Sequence, residues 1–296
     1  MPTYKFDEEY RKYLDSIDPL LLQERIDHFR NLNFSNLSYE EIGKEINYVI
    51  SFESDGQTKA IFMRGNAVYP KNTMFYRARE LPDDDHFTPL RTVRFPKDVW
   101  NPPKEIVKMQ RLNKDNESLL YTSPINPNIA IGELRLDENR NFVLAVFEAI
   151  SEIKVCSIAN FAIPFDLSSE QKLKHLMIND FLRHEFIRDV GKGTEYLYRI
   201  SEIIAKSYFD LPEIFQDAWC YPSIVKKEYV NVCFRESKAK EKLKLNGIIL
   251  CKRTNSSMNV FNCLLVGITR NENSEFEYYK IGSDEQKRFF PEICSE

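Results

Sequence analysis

Over the first fifty residues the apolar positions recur at helical spacing. Asp18-Pro19 supplies an N-cap followed by a first-turn proline, and Ser38 with Glu41 three residues later forms a capping box ahead of Ile42, Ile46 and Val49. Residues 1–52 therefore read as helices. The polar stretch Glu53-Ser54-Asp55-Gly56 favours a turn and suggests a division into an N-terminal helical appendage, 1–56, and a main domain, 57–296. From Thr73 the pattern changes to short β-like runs: TMFYRAR, NFVLAVFEAI at 141–150, WCYPSI at 219–224, YVNVCF at 229–234 and NGIILCK at 246–252. Helical stretches interrupt them at 168–188, opened by Ser168 with Gln171, and at 194–207, where Leu197, Ile200, Ile203 and Ile204 share a face. FNCLLVGIT and FEYYKIG predict a C-terminal β-hairpin-like extension. The expected class is α+β, a mixed sheet with flanking helices.

With 43% hydrophobic against 29% charged residues, the chain has the balance of a folded protein, so its function is to be sought in a site. A net charge of −4 gives no basic surplus for phosphate backbones, which argues against nucleic acid as the main partner. No apolar run is long enough to span a bilayer, and MPTYKFDEEYRKYLD is charged where a signal peptide needs an apolar stretch, so a cytoplasmic protein without membrane association is expected. Cys156, Cys220, Cys233, Cys251, Cys263 and Cys294 lack C-x-x-C spacing and read as free thiols. His28, His86, His175 and His184 are too dispersed for a zinc site. The loop from about 80 to 103 holds VWNPP and the acidic run Asp83-Asp84-Asp85-His86, read as a solvated turn in preference to metal ligands.

Polar residues inside apolar runs need explaining, because burying an unpaired charge is costly. Arg77 sits in MFYRAR, Tyr121-Thr122-Ser123 closes LLYTS, Glu133 follows Ile129, Ala130 and Ile131, and Ser223 follows Trp219, Tyr221 and Pro222. Each has a plain structural reading. Arg77 would be a strand arginine snorkelling from a sheet edge, Tyr121 strand core, Glu133 the exposed face of a helix, and Ser223 a turn residue after proline.

Their order and setting add a second reading. FYRAR at 75–79, the element Trp100-Asn101-Pro102-Pro103, QRLNKDNESLLYTS at 110–123, AIGELR at 130–135 and WCYPSIVKKEYVN at 219–231 together resemble the RES-domain family, named for an Arg, a Glu and a Ser. The resemblance covers about 74–253 and implies a core like that of ADP-ribosyltransferases, acting on NAD⁺ as substrate with no bound cofactor. It makes Arg77 and Arg111 the arginines facing the nucleotide phosphates, a task suited to a planar, permanently charged fork. It sets Tyr121 near the nicotinamide, with Tyr76 and Asn231 as further substrate-binding residues. Glu133 becomes the catalytic carboxylate that stabilises positive charge developing on the ribose, and Ser223 a hydroxyl that bonds substrate. The segment Lys114-Asp115-Asn116-Glu117 fills a turn where relatives often carry glycine, with Asn116 the residue expected to take positive φ.

The implied activity is cleavage of the nicotinamide–ribose bond, with inorganic phosphate, water or a protein side chain as acceptor. The first makes the chain a phosphorylase, the second a glycohydrolase and the third an ADP-ribosyltransferase. Such an enzyme would serve as a growth-inhibiting toxin or defence effector, restrained by an antitoxin or other regulatory protein, and as a monomer or a homodimer. Two readings from other classes stand beside it: a nucleotide-binding module without turnover, against which a carboxylate next to an anionic ligand speaks, and a structural interaction protein, supported by the helical appendage alone.

Overall fold

In a computed structural model of the chain, residues 3–62, 64–82, 91–159, 166–226, 228–255, 260–271 and 273–293 are described; Asp83–His86 and Cys294 lie outside the described residues. The helices are α1 Thr3–Ser16, α2 Pro19–Arg30, α3 Tyr39–Ile50, α4 Pro127–Glu133, α5 Ser169–Ile187, α6 Tyr198–Tyr208, α7 Glu236–Lys242 and α8 Asp284–Phe289. The strands are β1 Phe52–Ser54, β2 Gln57–Lys59, β3 Gly65–Tyr69, β4 Met74–Glu80, β5 Leu119–Pro124, β6 Asn141–Ala149, β7 Ile153–Ser157, β8 Ala218–Pro222, β9 Val230–Arg235, β10 Leu243–Asn255, β11 Val260–Ile268 and β12 Glu277–Lys280. The class is α+β, as the interleaved patterns imply. Among the described residues no helix is long and apolar enough to cross a membrane.

The chain divides into two compact units: residues 1–67, 108–117 and 156–222 form unit one, and 68–107, 118–155 and 223–296 form unit two. Unit one is largely helical. Asp18 accepts from the amides of Leu20 and Leu21 at the start of α2, and Ser38–Glu41 and Ser168–Gln171 close reciprocal capping boxes on α3 and α5. The buried stripes Leu22, Ile26, Phe29 and Ile42, Ile46, Val49 need partners, and α5 and α6 supply them. Phe29 packs 4.9 Å from Phe34 and 5.2 Å, edge-on, from Phe181. At about 1.5–3 kcal/mol per buried side chain, that shared core binds the N-terminal helices to α5. They are thus not a separate appendage of residues 1–56. The expected boundary at Asp55-Gly56 is a two-residue hairpin turn between β1 and β2, with φ of 53° and 70°. Asn116 takes the positive φ expected of it, at 63°.

Unit two is built on seven neighbouring strands in the order β12-β11-β10-β6-β4-β5-β9, every pair antiparallel. The C-terminal hairpin-like extension is β11–β12, with Leu265 opposite Lys280. Strand β6 is buried along nearly its whole length, so both of its faces are covered. On one face Phe142, Leu144 and Val146 pack with Ala130 and Ile131 of α4, joined by Tyr76 and Ala78 of β4. On the other, Phe75 meets Phe234 at 5.3 Å and Phe147 meets Trp100 at 4.7 Å. Strands β4 and β5 pair only at Phe75–Pro124 and Tyr76–Ser123 and then part, β5 continuing along β9.

Candidate functional site

Helix α4 starts at Asn126, whose side chain accepts from the Asn128 amide, with Pro127 in the first turn. Glu133 is its last residue. A carboxylate at a helix C-terminus opposes the helix dipole by roughly 0.3–1 kcal/mol, so helix stability does not explain its presence. Two hydrogen bonds offset the cost: Glu133 Oε1 accepts from Ser223 Oγ at 2.7 Å and from Asn231 Nδ2 at 2.7 Å. Asn231 is itself oriented by Ser123, whose Oγ donates to Asn231 Oδ1 at 2.7 Å. Hydrogen bonds to a charged group contribute about 1.5–3 kcal/mol each. Ser223, Ser123 and Asn231 are buried, whereas Glu133 is partly exposed. Among the described residues no hydrogen bond reaches Glu133 Oε2. One carboxylate oxygen is held twice by the protein, and the other has no partner among the described residues.

Gly132 makes this approach feasible. A Cβ there would fall 2.8 Å from Val225 Cγ1, inside van der Waals contact, so the end of α4 reaches the 223–226 turn only because the residue before Glu133 has no side chain. The Ser223 hydroxyl gives its proton to Glu133 and accepts from the Val225 amide at 3.1 Å; among the described residues no His or Lys side chain bonds to it. Its geometry is that of a positioning group and not of an activated nucleophile.

Strand register places the remaining residues. Tyr76 lies opposite Ser123, and Tyr121, two residues before Ser123, opposite Cys233, so Tyr76, Tyr121, Ser123 and Asn231 share the face that carries α4. Burial raises the Tyr76 hydroxyl pKa, with the charge of Glu292 adding to it. Arg77 and Arg79 leave β4 on the opposite side. Arg77 is the first residue beyond the last β4–β5 pair, at the gap where the strands part. Burial, then the charge of Arg79, pulls its guanidinium down to about 10, while Cys233 and Tyr121 act the other way. It stays protonated at neutral pH, and its Nε is buried with no partner among the described residues.

Arg111 belongs to unit one. Its guanidinium donates to the carbonyl oxygen of Phe186 and, at 3.0 Å, to that of Arg188, closing the C-terminal end of α5. Of the residues singled out from sequence, Glu133, Ser223 and Asn231 are joined directly, Tyr76 and Tyr121 line the same face, Arg77 stands at the gap, and Arg111 serves backbone carbonyls. The residue given no role in advance is Ser123; its period-2 relation to Tyr121 within LLYTS is the signal that places it on the site face. The Trp100-Asn101-Pro102 element is anchored by Ser118, whose hydroxyl accepts from Asn101 Nδ2 at 2.8 Å and donates to the Pro102 carbonyl. Comparison of the chain with protein-family models, with curated proteins and with solved structures returned no match.

Proposed function

We propose that the protein cleaves the nicotinamide–ribose bond of NAD⁺ and passes the ADP-ribosyl group to inorganic phosphate or water. The observation that supports this reading most is the Glu133 carboxylate, one oxygen held by Ser223 and Asn231 and the other open. As the C–N bond breaks, its electron pair leaves with nicotinamide and positive charge grows on the ribose. A preorganised carboxylate with an open oxygen stabilises that charge and accepts a hydrogen bond from a ribose hydroxyl. Ser223, Asn231 and Ser123 act as positioning residues. Tyr76 and Tyr121 offer rings to the nicotinamide end, and Arg77 reaches the phosphates through the gap between β4 and β5. The resemblance to RES-domain proteins points the same way. In a cytoplasm this activity would drain NAD⁺ and arrest growth, the role of a toxin or defence effector held in check by a partner protein.

The test is to incubate the purified chain with NAD⁺, with and without phosphate, and identify the products. Nicotinamide should appear together with ADP-ribose 1″-phosphate or ADP-ribose. Glu133→Gln should lower turnover by about 10²–10³-fold or more while the melting temperature is preserved, because the lost interaction forms mainly in the transition state. A Glu133→Gln variant that consumes NAD⁺ at the normal rate would overturn the assignment.

A further inference from the structure

Strands β10 and β11 of unit two carry two cysteines in direct opposition. The ladder pairs Ile249 with Val266 and Leu250 with Leu265, then Cys251 with Cys263 and Lys252 with Asn262. Leu264 is therefore an extra residue, a bulge in β11. Because side chains alternate along a strand, without that bulge Cys251 would face Leu264, and Cys263 would stand opposite Lys252 on the other side of the sheet. With it, both cysteines lie on the face that packs against Ala130 and Ile131 of α4, together with Phe142 and Phe261.

Opposed residues of an antiparallel pair have Cα atoms about 4.5 or 5.5 Å apart, and both spacings fall within the roughly 4.4–6.8 Å that a disulfide spans. The two thiols are free, and they differ. Cys251 is buried, with its Sγ 3.8 Å from the Ile249 carbonyl oxygen, whereas Cys263 is half-buried. A hydrogen bond from Cys251 to the Cys263 sulfur lowers the Cys263 thiol below its ordinary pKa and, together with burial, raises that of Cys251. A buried cysteine by itself is a small hydrophobe. A more exposed, thiolate-prone cysteine with a second thiol directly opposite is a nucleophile with its resolving partner.

We infer that Cys251 and Cys263 form a redox site, closing to an intrachain disulfide when a hydroperoxide reaches Cys263. With hydrogen peroxide, the Cys263 thiolate attacks one oxygen and breaks the O–O bond, leaving a sulfenic acid on Cys263 and releasing hydroxide, which is protonated to water. The Cys251 sulfur then attacks the Cys263 sulfur; the S–S bond forms, the S–O bond breaks, and a second water leaves with the Cys251 proton. In sum, two thiols give up two protons and two electrons, and the peroxide is reduced to two waters. The bond ties β11 to β10 beside the helix that ends in Glu133, and the inference does not depend on NAD⁺ cleavage.

The test treats the full-length chain with hydrogen peroxide, alkylates the remaining thiols and maps the unreduced peptides by mass spectrometry. A cross-linked Cys251–Cys263 peptide should account for most of the thiol lost and disappear on treatment with dithiothreitol. The oxidised chain should melt a few degrees higher, because the closed loop restricts the unfolded state. Cys263→Ser should remove the cross-link and leave Cys251 unoxidised. Cys251→Ser should also remove it, but leave Cys263 as a sulfenic acid that dimedone captures at least about fivefold more than in wild type. The wild-type map decides the matter even where a variant fails to fold. Oxidation that joins other cysteines, or that carries Cys263 to sulfinic acid with no cross-link in the wild-type chain, would overturn the inference. So would a wild-type chain that keeps all its thiols.

Discussion

Arg111 and Arg77 enter through the same sequence resemblance, each as a phosphate-facing arginine, and the fold treats them differently. Arg111, in unit one, spends its terminal nitrogens on the carbonyls of Phe186 and Arg188, where α5 runs out of intrahelical partners. Arg77, in unit two, stands where β4 leaves β5, with a buried Nε that has no partner among the described residues. An arginine whose donors meet carbonyls completes the protein, whereas Arg77 keeps a donor without a partner among the described residues. Glu133 belongs with Arg77, because its Oε2 is open while Oε1 is held twice.

The sharpest way to break this contrast is to remove each arginine. Arg111→Ala should lower stability by roughly 2–3 kcal/mol, since two carbonyls at a buried helix end lose their donor, and the melting temperature should fall by several degrees. Arg77→Met should leave the melting temperature close to that of wild type, because no hydrogen bond from Arg77 Nε to a described residue is lost, yet it should weaken ADP-ribose binding at least tenfold. Thermal melts and titrations of the two variants read both effects. If Arg111→Ala melts normally and loses ligand while Arg77→Met melts early, the two roles are exchanged.

A smaller effect is expected at Gly132. Alanine is the better helix former by about 1 kcal/mol, but its Cβ would meet Val225 Cγ1 at 2.8 Å and push the end of α4 from the 223–226 turn. Stability should change by less than about 1 kcal/mol, whereas NAD⁺ turnover should fall roughly tenfold as Glu133 loses its hold on Ser223 and Asn231. Turnover equal to wild type in Gly132→Ala would show that the position of Glu133 does not matter to the chemistry.

What could be read in the sequence follows the range of the interactions involved. The capping boxes at Ser38 and Ser168, the positive φ of Asn116 and the strands at FYRAR and NFVLAVF were legible because each rests on residues a few positions apart. The Asp55-Gly56 turn was legible as a turn but not as a hairpin, since β1 and β2 are only three residues each. That α1–α3 share a core with α5 was not legible: Phe29 and Phe181 are 152 positions apart, and an amphipathic stripe does not name its partner. At the site, the meeting of Glu133, Ser223 and Asn231 came from motif resemblance. The carbonyl partners of Arg111 escaped because they too are distant in sequence.

His175 carries the contrast to a group whose closure depends on its proton. It is buried on α5, with Nδ1 2.7 Å from the Tyr10 hydroxyl and Nε2 2.8 Å from the Asn179 side-chain amide nitrogen. A neutral ring satisfies both neighbours, its Nε2 accepting from Asn179 and its Nδ1–H facing the Tyr10 oxygen; a second ring proton, on Nε2, would face the Asn179 amide nitrogen, which has no lone pair to accept it. Burial moves the His175 pKa below the ordinary 6.5. The folded state therefore takes up this proton less readily than the unfolded state does. The contribution to stability is complete above pH 6.5 and is lost as the pH falls from there toward the folded pKa, with a slope of at most about 1.4 kcal/mol per pH unit. Urea unfolding midpoints at pH 7.5 and 5.5 should show wild type losing up to about 1 kcal/mol more than His175→Gln, whose amide has no proton to gain. Because the comparison is between pH-dependences, any uniform loss of stability from the substitution cancels. Equal losses in the two proteins would mean that His175 titrates alike in the folded and unfolded chains, and that, unlike Arg111, it is not closed by its neighbours.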